Sequence, residues 1–344
     1  MKNEKLSIGF CGNWYGRPQG HCYVVRDVIK ILQQEKHKIH MYRIGDNEIP
    51  EEFPMPDSLY SYKDRVIPKQ EFERWLNETS PDYCFFMEYL DWWEEDHNKV
   101  EICKEKGIKT VGFVLYEKLN WDKIDQYKMY DYIICPTGHQ TKLMRQHGLY
   151  NTYHIPWGVF PEEYNDVKIT PRTDKKVSFY HCAGTGGVDN RKNTEAIVEA
   201  YEKIKNDNTE LIITHLGNKV FTRKEIIGFI KNADVVVNTS KWDSIGLFTL
   251  ESNMCGVPAI VVDMPPVNEL VKDNVNGFLV KGMEGKSQYV TCPSYDVDID
   301  DLANKMKVCK NKTILEVLKR NALVFAKENF DWSKNSKSLK KIFR

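Results

Sequence analysis

Short apolar runs alternate with amphipathic stretches through the first half of the chain. The apolar runs have the length of buried β-strands, and the stretches between them repeat apolar residues at helical spacing. Continuous apolar strands alternating with helices are typical of a parallel sheet covered on both faces, so the pattern predicts a doubly wound α/β domain. The predicted strands are residues 6–12, 39–44, 83–88, 110–116, 132–135 and 153–156, and the predicted helices include 24–34, 98–106 and 140–147.

The same alternation restarts in the second half. Residues 167–176 carry a proline and clustered charge without an apolar period, which is typical of a linker. Residues 1–166 and 177–329 are therefore predicted to form two Rossmann-like domains, with a ligand-binding cleft between the carboxyl ends of the two sheets. Strands are predicted at 177–182, 211–215, 235–238, 259–262 and 277–280, and helices at 193–205, 223–231, 247–254, 267–271, 299–309 and 315–328.

Composition and charge narrow the classes of function. The 344 residues are 41% hydrophobic and 28% charged, as in a globular protein that buries two cores. The net charge is zero, but residues 1–166 hold 21 basic and 27 acidic side chains, whereas residues 167–344 hold 28 and 22. A mildly basic second half suits a small anionic ligand and falls short of the basic stripe of a nucleic-acid-binding protein.

Cysteines and the N-terminal residues bear on metal binding and location. The nine cysteines are scattered, without a CxxC pair or the Cys/His spacing of a zinc site, so reduced thiols and no structural metal are expected. The apolar run at residues 6–11 is too short for a signal-peptide core, and no run approaches the roughly 20 residues that span a bilayer. These features predict a cytoplasmic protein.

Two acidic residues in the second half could share one crevice. Asp243 lies in the loop after the predicted strand 235–238, and Glu251 follows after seven intervening residues, inside a helix that begins near Gly246. Backbone N–H groups at such a helix N-terminus favour a phosphate. The residues expected to present them are Ser244, Ile245, Gly246, Leu247 and Phe248. Taken alone, the acidic pair is better explained as a helix cap and a solvated glutamate.

This segment resembles the donor-binding core of retaining GT-B glycosyltransferases of the large group 1 family. The family hallmark is Glu, seven residues, Glu, with a Gly-Leu pair between them. The matching residues are Gly246-Leu247, Glu251, Gly256-Val257-Pro258, Glu269 and 276–280 (NGFLV). In that family the second acid binds the ribose hydroxyls, which carries to Glu251, and the first lies beside the transferred sugar, which carries to Asp243. Aspartate here replaces the usual glutamate and shortens that reach by one methylene.

The loop at residues 181–193 (HCAGTGGVDNRKN) is the second candidate for donor binding. Its glycines allow a ligand close to the backbone, and Arg191 and Lys192 can neutralise a diphosphate. The loop resembles the family's strand–loop–Lys segment, in which an arginine and a lysine stabilise the leaving nucleoside diphosphate. Lys192 matches, but the usual arginine directly after the strand is absent, so either Arg191 substitutes or the diphosphate meets one cation fewer. A glycine-rich turn with solvated charges is the alternative. The glycines are Gly184, Gly186 and Gly187.

Candidates in the first half follow predicted strands. Residues 9–20 do not match GxGxxG, so a dinucleotide-binding fingerprint is not supported. In these transferases the corresponding loop faces the diphosphate and the acceptor. Many relatives also carry a histidine after the strand at 110–116, where this chain has glutamate. The candidates for substrate contact, each with a surface or helix-terminal role as its alternative, are Gly16, Arg17, Gly20, Glu88, Glu117 and His139.

Two patterns near the C-terminus are predicted to be structural. Residues 296–301 (DVDIDD) look like a DxD metal motif but are expected to cap the helix that begins near Ile299, and no metal is predicted there. Residues 330–333 (FDWS) resemble the family's Phe-x-Trp before the last helix, so residues 330–344 are expected to pack back on the first domain. The stretch between residues 206 and 233 is shorter than in family members, so a trimmed second domain is expected.

The resemblance implies transfer of a hexose from a nucleoside diphosphate sugar, with a UDP-sugar as the expected donor, to a hydroxyl acceptor with retained configuration. Lys192, Arg191 and the helix N-terminus would stabilise the leaving diphosphate without a cofactor or an obligatory metal. The alternatives are a catalytically silent sugar-nucleotide-binding protein of this fold and a DNA-base-modifying sugar transferase, and the neutral charge counts against nucleic acid. The expected acceptor is a glycan, a lipid-linked or another hydroxyl compound, so peripheral membrane contact is compatible with the sequence.

Overall fold

A computed structural model of the chain describes residues 5–17, 19–64, 66–87, 97–169, 172–184, 188–215 and 221–344. The chain divides into two compact units. Unit 1 comprises Met1–Ile155 and Ser336–Arg344, and unit 2 comprises Pro156–Asn335. The division after Ile155 precedes the predicted boundary at residue 166, because the segment from Pro156 folds with unit 2: Val159 N donates to Phe330 O at 2.7 Å, and Lys231 Nζ donates to Val167 O at 2.6 Å.

Unit 1 is built on a seven-stranded parallel sheet in the order β3-β2-β1-β4-β5-β6-β7. The strands are β1 (Ser7–Asn13), β2 (Lys38–Ile44), β3 (Ser58–Tyr62), β4 (Tyr83–Met87), β5 (Lys109–Phe113), β6 (Tyr132–Cys135) and β7 (Thr152–His154). The helices are α1 (Gly20–Gln34), α2 (Lys69–Thr79), α3 (His97–Glu105), α4 (Ile124–Tyr127) and α5 (Gly138–Gln146). The chain order reverses between β1 and β4, the point in such a sheet where ligands bind.

Unit 2 is built on a five-stranded parallel sheet in the order β12-β11-β10-β8-β9 and a separate antiparallel hairpin, β13-β14. Its strands are β8 (Val177–Gly184), β9 (Thr209–His215), β10 (Val235–Asn238), β11 (Ala259–Val262), β12 (Gly277–Val280), β13 (Gly282–Gly285) and β14 (Ser294–Val297). The remaining helices are α6 (Pro161–Asn165), α7 (Thr194–Glu202), α8 (Arg223–Asn232), α9 (Leu247–Met254), α10 (Ile299–Cys309), α11 (Lys312–Asn329) and α12 (Trp332–Leu339). The prediction of two doubly wound α/β domains is confirmed.

The core of unit 2 surrounds the central strands of its sheet. β10 and β11 are apolar on both faces except for Asn238, and all their residues are buried, as expected for central strands of a parallel sheet covered by helices. Helices α7, α10 and α11 contribute apolar faces that include Ile197, Leu302 and Leu318 to the same cluster. The candidate residues lie beyond this core, at the carboxyl ends of the strands.

The last residues of the chain divide between the two units. Residues 330–335 belong to unit 2, where Trp332 N donates to Val159 O at 3.1 Å, so the expectation that the whole segment 330–344 joins the first domain is corrected. Residues 336–344 do belong to unit 1. There Lys340 Nζ lies 2.6 Å from Glu35 Oε1, and Tyr83 Oη donates to Arg344 O at 2.7 Å.

In the described residues, no helix combines the length and the apolar character needed to cross a membrane. The DVDIDD motif is a helix cap, as predicted. Asp298 is the N-cap of α10, and its Oδ1 accepts from Asp301 N at 2.9 Å.

Candidate functional site

The carboxyl ends of β8 and β10 meet at the point where the strand order of unit 2 reverses. β8 pairs with β9 on one side and with β10 on the other, so the loops that follow β8 and β10 diverge from adjacent positions. A crevice outside the carboxyl ends of strands at such a switch point is the usual ligand site of an open α/β sheet. The two loops are those that carry the predicted donor-binding residues.

Arg191 and Lys192 lie against the loop that follows β10. Lys241 N donates to Arg191 O at 2.8 Å, and Arg191 Nη1 donates to Trp242 O at 3.4 Å. Lys192 Nζ lies 3.4 Å from Ser240 Oγ, so its ammonium is at the carboxyl edge of the sheet. The structure thus brings both predicted cations, which lie in the loop after β8, into contact with the loop after β10 that leads into α9.

Asp243 fixes the turn before α9. Its Oδ1 accepts from Ile245 N at 3.2 Å and from Gly246 N at 2.8 Å. The prediction that Ser244 through Phe248 all present open backbone N–H groups is therefore wrong for Ile245 and Gly246, because the short aspartate side chain folds back on them. Asp243 therefore closes the turn that precedes α9 and is not the N-cap of that helix, so its alternative interpretation as a helix cap is wrong as well.

Helix α9 begins at Leu247, at the predicted position. Gly246 is its N-cap in the left-handed region, with φ +70°, and Thr249 N donates to Gly246 O at 2.8 Å. The N–H groups of Leu247 and Phe248 come before this bond and have no intrahelical acceptor by geometry. They are the amides that the helix end offers to an anion, since the positive end of the helix dipole lies there.

Glu251 lies one turn further along α9 and forms an ion pair that the sequence reading missed. Its side chain is 11% exposed, and Oε1 lies 2.8 Å from Arg223 Nη1. Leu247 and Glu251 are four positions apart, so they share a face of the helix. Arg223 is the first residue of α8 and stands 28 residues before Glu251, so no local spacing signals the pair.

The glycine-rich loop is only partly within the described chain. Gly184 ends β8 with φ +57°, in the left-handed region that favours glycine, beside a register shift in the pairing of β8 with β9. Gly186 and Gly187 lie outside the described residues. The loop re-emerges at Asp189 and Asn190, both with positive φ, and Asn193 caps α7 while its Nδ2 donates to Thr239 O at 2.9 Å.

His181 is a buried imidazole beneath these loops. Its Nδ1 donates to Val237 O at 2.9 Å, so Nε2 accepts from Thr194 Oγ1 at 2.9 Å. Burial, opposed by the bond to Val237 and assisted by nearby Lys192 and His215, lowers the pKa of His181 to about 4. The ring is therefore neutral and ties β8 to β10 and α7.

The lowered pKa of His181 makes stability depend on pH. In the unfolded chain a histidine binds a proton below pH ~6.5, whereas the folded ring does so only near pH 4. Between these values protons favour the unfolded state, so the free energy of unfolding should fall as pH decreases, by up to about 1.4 kcal/mol per pH unit from this one group. Denaturant unfolding at several pH values should give a shallower slope for His181→Gln than for the wild type. Parallel curves would show that His181 does not cause the dependence.

The candidate residues of unit 1 follow the carboxyl ends of its strands and have different local roles. Gly16 has φ +93°, and a Cβ there would lie 3.2 Å from Ile49 Cα, so packing already requires glycine. Arg17 stacks on Trp14, with Cζ 3.9 Å from the ring centre. Gly20 is the exposed first residue of α1. Desolvation, assisted by Arg17, lowers the pKa of His21 to about 4, and the sequence reading had not selected this residue.

The polar residues after β5 and β6 approach one another. Glu117 lies in a 3₁₀ turn at Tyr116–Lys118, directly after β5. His139 is the second residue of α5, after β6, and its Nε2 lies 3.4 Å from Tyr116 Oη. Glu88 lies outside the described residues. Unit 1 therefore places His139 and the turn holding Glu117 side by side.

Comparison with known proteins supports the family resemblance in unit 2. Residues 214–288 match the family model described as glycosyl transferases group 1, and this segment holds both Asp243 and Glu251. An uncharacterized glycosyltransferase of Methanocaldococcus jannaschii is 26% identical over 203 residues, which cover 52% of this chain and 47% of the relative. The chain thus aligns with about half the length of that curated relative.

Solved structures resemble the whole chain. Anabaena Alr3699/HepE in complex with UDP and glucose has a TM-score of 0.74 at 14% identity, covering 98% of this chain and 99% of that one. Sucrose-phosphate synthase from Thermosynechococcus elongatus has a TM-score of 0.71 at 14% identity, covering 98% of each chain. The fold is therefore the GT-B fold. The resemblance recognised in the sequence is confirmed by the match of residues 214–288 to the group 1 glycosyltransferase model and by the similarity of the chain to a glycosyltransferase.

Proposed function

We propose that the protein is a glycosyltransferase that transfers a hexose from a nucleoside diphosphate sugar to a hydroxyl acceptor with retained anomeric configuration. One observation carries the proposal. At the switch point of the unit 2 sheet, the Lys192 ammonium lies at the loop leading into α9, and the same helix holds Glu251. Cation, helix N-terminus and carboxylate match the diphosphate and ribose of a nucleotide.

The chemistry that this arrangement supports is stabilisation of the leaving diphosphate. Negative charge grows on the diphosphate as the glycosidic bond breaks, and Lys192 together with the amides of Leu247 and Phe248 would oppose it. Arg191 would add a second cation. In the resembled family the acceptor hydroxyl attacks from the leaving-group face, so the proposal requires neither a carboxylate nucleophile nor a cofactor.

Asp243 would orient the transferred sugar through its second carboxylate oxygen. Oδ1 is engaged by the turn, whereas Oδ2 accepts no hydrogen bond from any residue in the described part of the chain. An anchored carboxylate with one oxygen available can accept from one sugar hydroxyl. The turn thus holds the carboxylate in one orientation, with Oδ2 available for that single contact.

A catalytically silent sugar-nucleotide-binding protein is the second candidate. The observation in its favour is that Asp243 closes the turn before α9, which can explain that residue without any contact with a sugar. Both candidates bind a donor, and only the first turns it over. The predicted cytoplasmic location is the same for each, whereas the hydroxyl acceptor belongs to the first candidate alone.

Donor binding can be tested by thermal shift with UDP-, GDP-, ADP- and dTDP-sugars. A ligand present at 100 times its Kd stabilises the folded state by about 2.7 kcal/mol, and we expect this with a UDP-sugar. Glu251→Ala should lose most of the shift because the ribose hydroxyls lose their acceptor. Glu202→Ala, on the exposed end of α7 where Glu202 pairs with Lys205, is the control and should keep it. Absence of a shift with every donor would contradict the proposal.

A further inference from the structure

Arg223 is held in one conformation from its backbone outward. It is the first residue of α8, and Thr222 caps that helix in a capping box with Glu225. Thr222 Oγ1 accepts from Glu225 N at 3.2 Å, while Glu225 Oε2 accepts from Thr222 N at 2.8 Å. These reciprocal bonds fix the first turn of the helix and with it the direction in which the arginine leaves the backbone.

The guanidinium of Arg223 contacts three groups from two other helices. Nη1 lies 2.8 Å from Glu251 Oε1 on α9, and Nη2 donates to Tyr164 Oη on α6 at 2.7 Å. Nε lies 3.4 Å from Glu163 Oε2, also on α6. The side chains of Arg223, Glu251 and Glu163 are 12%, 11% and 19% exposed. These contacts hold the planar guanidinium in one orientation, so the directions of its N–H donors are fixed.

This arrangement leaves Glu251 with one oxygen for a ligand. Oε1 is paired with Arg223, and Oε2 accepts no hydrogen bond within the described ranges of the chain. Rotation of the carboxylate would break a largely desolvated ion pair, which is costly because an uncompensated buried charge results. Arg223 therefore sets where Oε2 points. Tyr164 and Glu163 in turn set where Arg223 lies.

We propose that Arg223 is the positioning residue of the ribose subsite and that discrimination between ribo- and deoxyribonucleotides depends on it. The inference rests on the proposed function, since it assumes that Glu251 meets the ribose. Arg223 acts through Glu251 and does not itself touch the nucleotide. A carboxylate without an ion-pair partner exchanges among rotamers, whereas the Glu251 carboxylate is held in one orientation by Arg223. It would meet the ribose hydroxyls without first losing that freedom, and preorganisation of this kind increases selectivity.

The probes are UDP, GDP and ADP with their 2′-deoxy and 3′-deoxy counterparts, measured by calorimetric titration. For the nucleotide that binds, the wild type should lose about 10-fold to 100-fold in affinity when the hydroxyl that meets Glu251 is absent, as expected for a hydrogen bond to a charged group. In Arg223→Gln this ratio should shrink to about 3-fold or less, chiefly because the hydroxyl-bearing nucleotide binds more weakly. Arg223→Lys should lie between them, since it restores the charge without the fork.

Arg172→Gln is the matched control. Arg172 is a half-buried arginine of unit 2 that also bridges two carboxylates, Asp174 at 2.6 Å and Glu210, near the amino end of β8. Its loss should change thermal stability and leave the ribo-to-deoxyribo ratio unchanged. If Arg223→Gln does not fold, Tyr164→Phe replaces it in the same titrations. This variant removes only the hydroxyl that accepts from Nη2, and it should lower the ratio by a smaller factor.

The outcomes separate the two levels of the proposal. An Arg223→Gln protein, or a Tyr164→Phe protein in its place, that keeps the wild-type ratio overturns the positioning role alone. A wild-type protein that binds none of the nucleoside diphosphates overturns the proposed function and this inference with it. A wild-type ratio near one in all nucleotides that bind overturns the inference and leaves donor binding intact. A ratio that falls in Arg223→Gln and persists in Arg172→Gln supports it.

Discussion

Lys192→Ala should lower the turnover number for sugar transfer by about 100-fold to 1,000-fold, the usual cost of losing one group that stabilises developing negative charge. The reason lies in where the ammonium sits. Nζ is 3.4 Å from Ser240 Oγ, at the carboxyl ends of β8 and β10, where the diphosphate of a donor would lie. Charge on the diphosphate rises toward the transition state, so the turnover number should change more than donor affinity.

Two variants keep this test specific for the charge at residue 192. Lys192→Arg retains a cation with different geometry and should recover part of the activity. Lys203→Ala removes an exposed lysine at the end of α7, where Nζ lies 2.7 Å from Asp300 Oδ1, and should leave turnover unchanged. Steady-state kinetics with the donor found by thermal shift provides the measurement. An unaltered turnover number in Lys192→Ala would remove Lys192 from the mechanism.

Three strands of unit 2 could be predicted from sequence with their observed bounds. β10, β11 and β12 coincide with the predicted segments because each is a short apolar run that ends at polar or turn-forming residues. Helices α9 and α10 were also predicted with their observed bounds, since glycine and aspartate mark their first turns. Where burial on both faces dictates the pattern, the sequence shows the element directly.

Strand β3 and the β13-β14 hairpin were not predicted from the sequence. β3 has the sequence SLYSY and mostly half-exposed side chains, so it carries no continuous apolar run. The β13-β14 hairpin has largely exposed residues in β13, and its eight-residue connection (residues 286–293) offers no short hairpin-turn signal. Such strands form because they pair with another segment of the chain, as Met41 of β2 pairs with Leu59 of β3. The pattern of apolar residues within one segment does not show this pairing.

Some features of the candidate site could be predicted from the local sequence, and others depend on contacts between distant segments. Lys192 and Glu251 were selected as candidates because their spacing and neighbours resemble a known family. The bonds from Asp243 to the amides of Ile245 and Gly246 are local, and an aspartate two and three residues before them is a recognised turn signal. The Arg223–Glu251 pair, in contrast, exists only because α8 and α9 pack together in the fold. The ion pair between Arg223 and Glu251 could therefore be identified only from the structure.

Gly277→Ala should strongly destabilise unit 2. Gly277 opens β12, the edge strand of the sheet, and pairs with Ala259 of the neighbouring strand β11. A Cβ at residue 277 would lie 2.2 Å from the Ala259 carbonyl oxygen and 3.1 Å from Val271 Cγ1. The first contact is with backbone, so relief requires the two strands to separate. We expect the free energy of unfolding to fall by about 3 kcal/mol.

Gly228→Ala is the matched control because the same methyl group is added in open space. Gly228 lies on α8, and a Cβ there would meet no heavy atom within 4 Å. Alanine in a helix should raise the free energy of unfolding by about 0.5–1 kcal/mol. Urea unfolding followed by tryptophan fluorescence, with Trp242 buried in unit 2 as a reporter, measures both variants. If Gly277→Ala unfolds at the same urea concentration as the wild type, β11 and β12 are not packed as described.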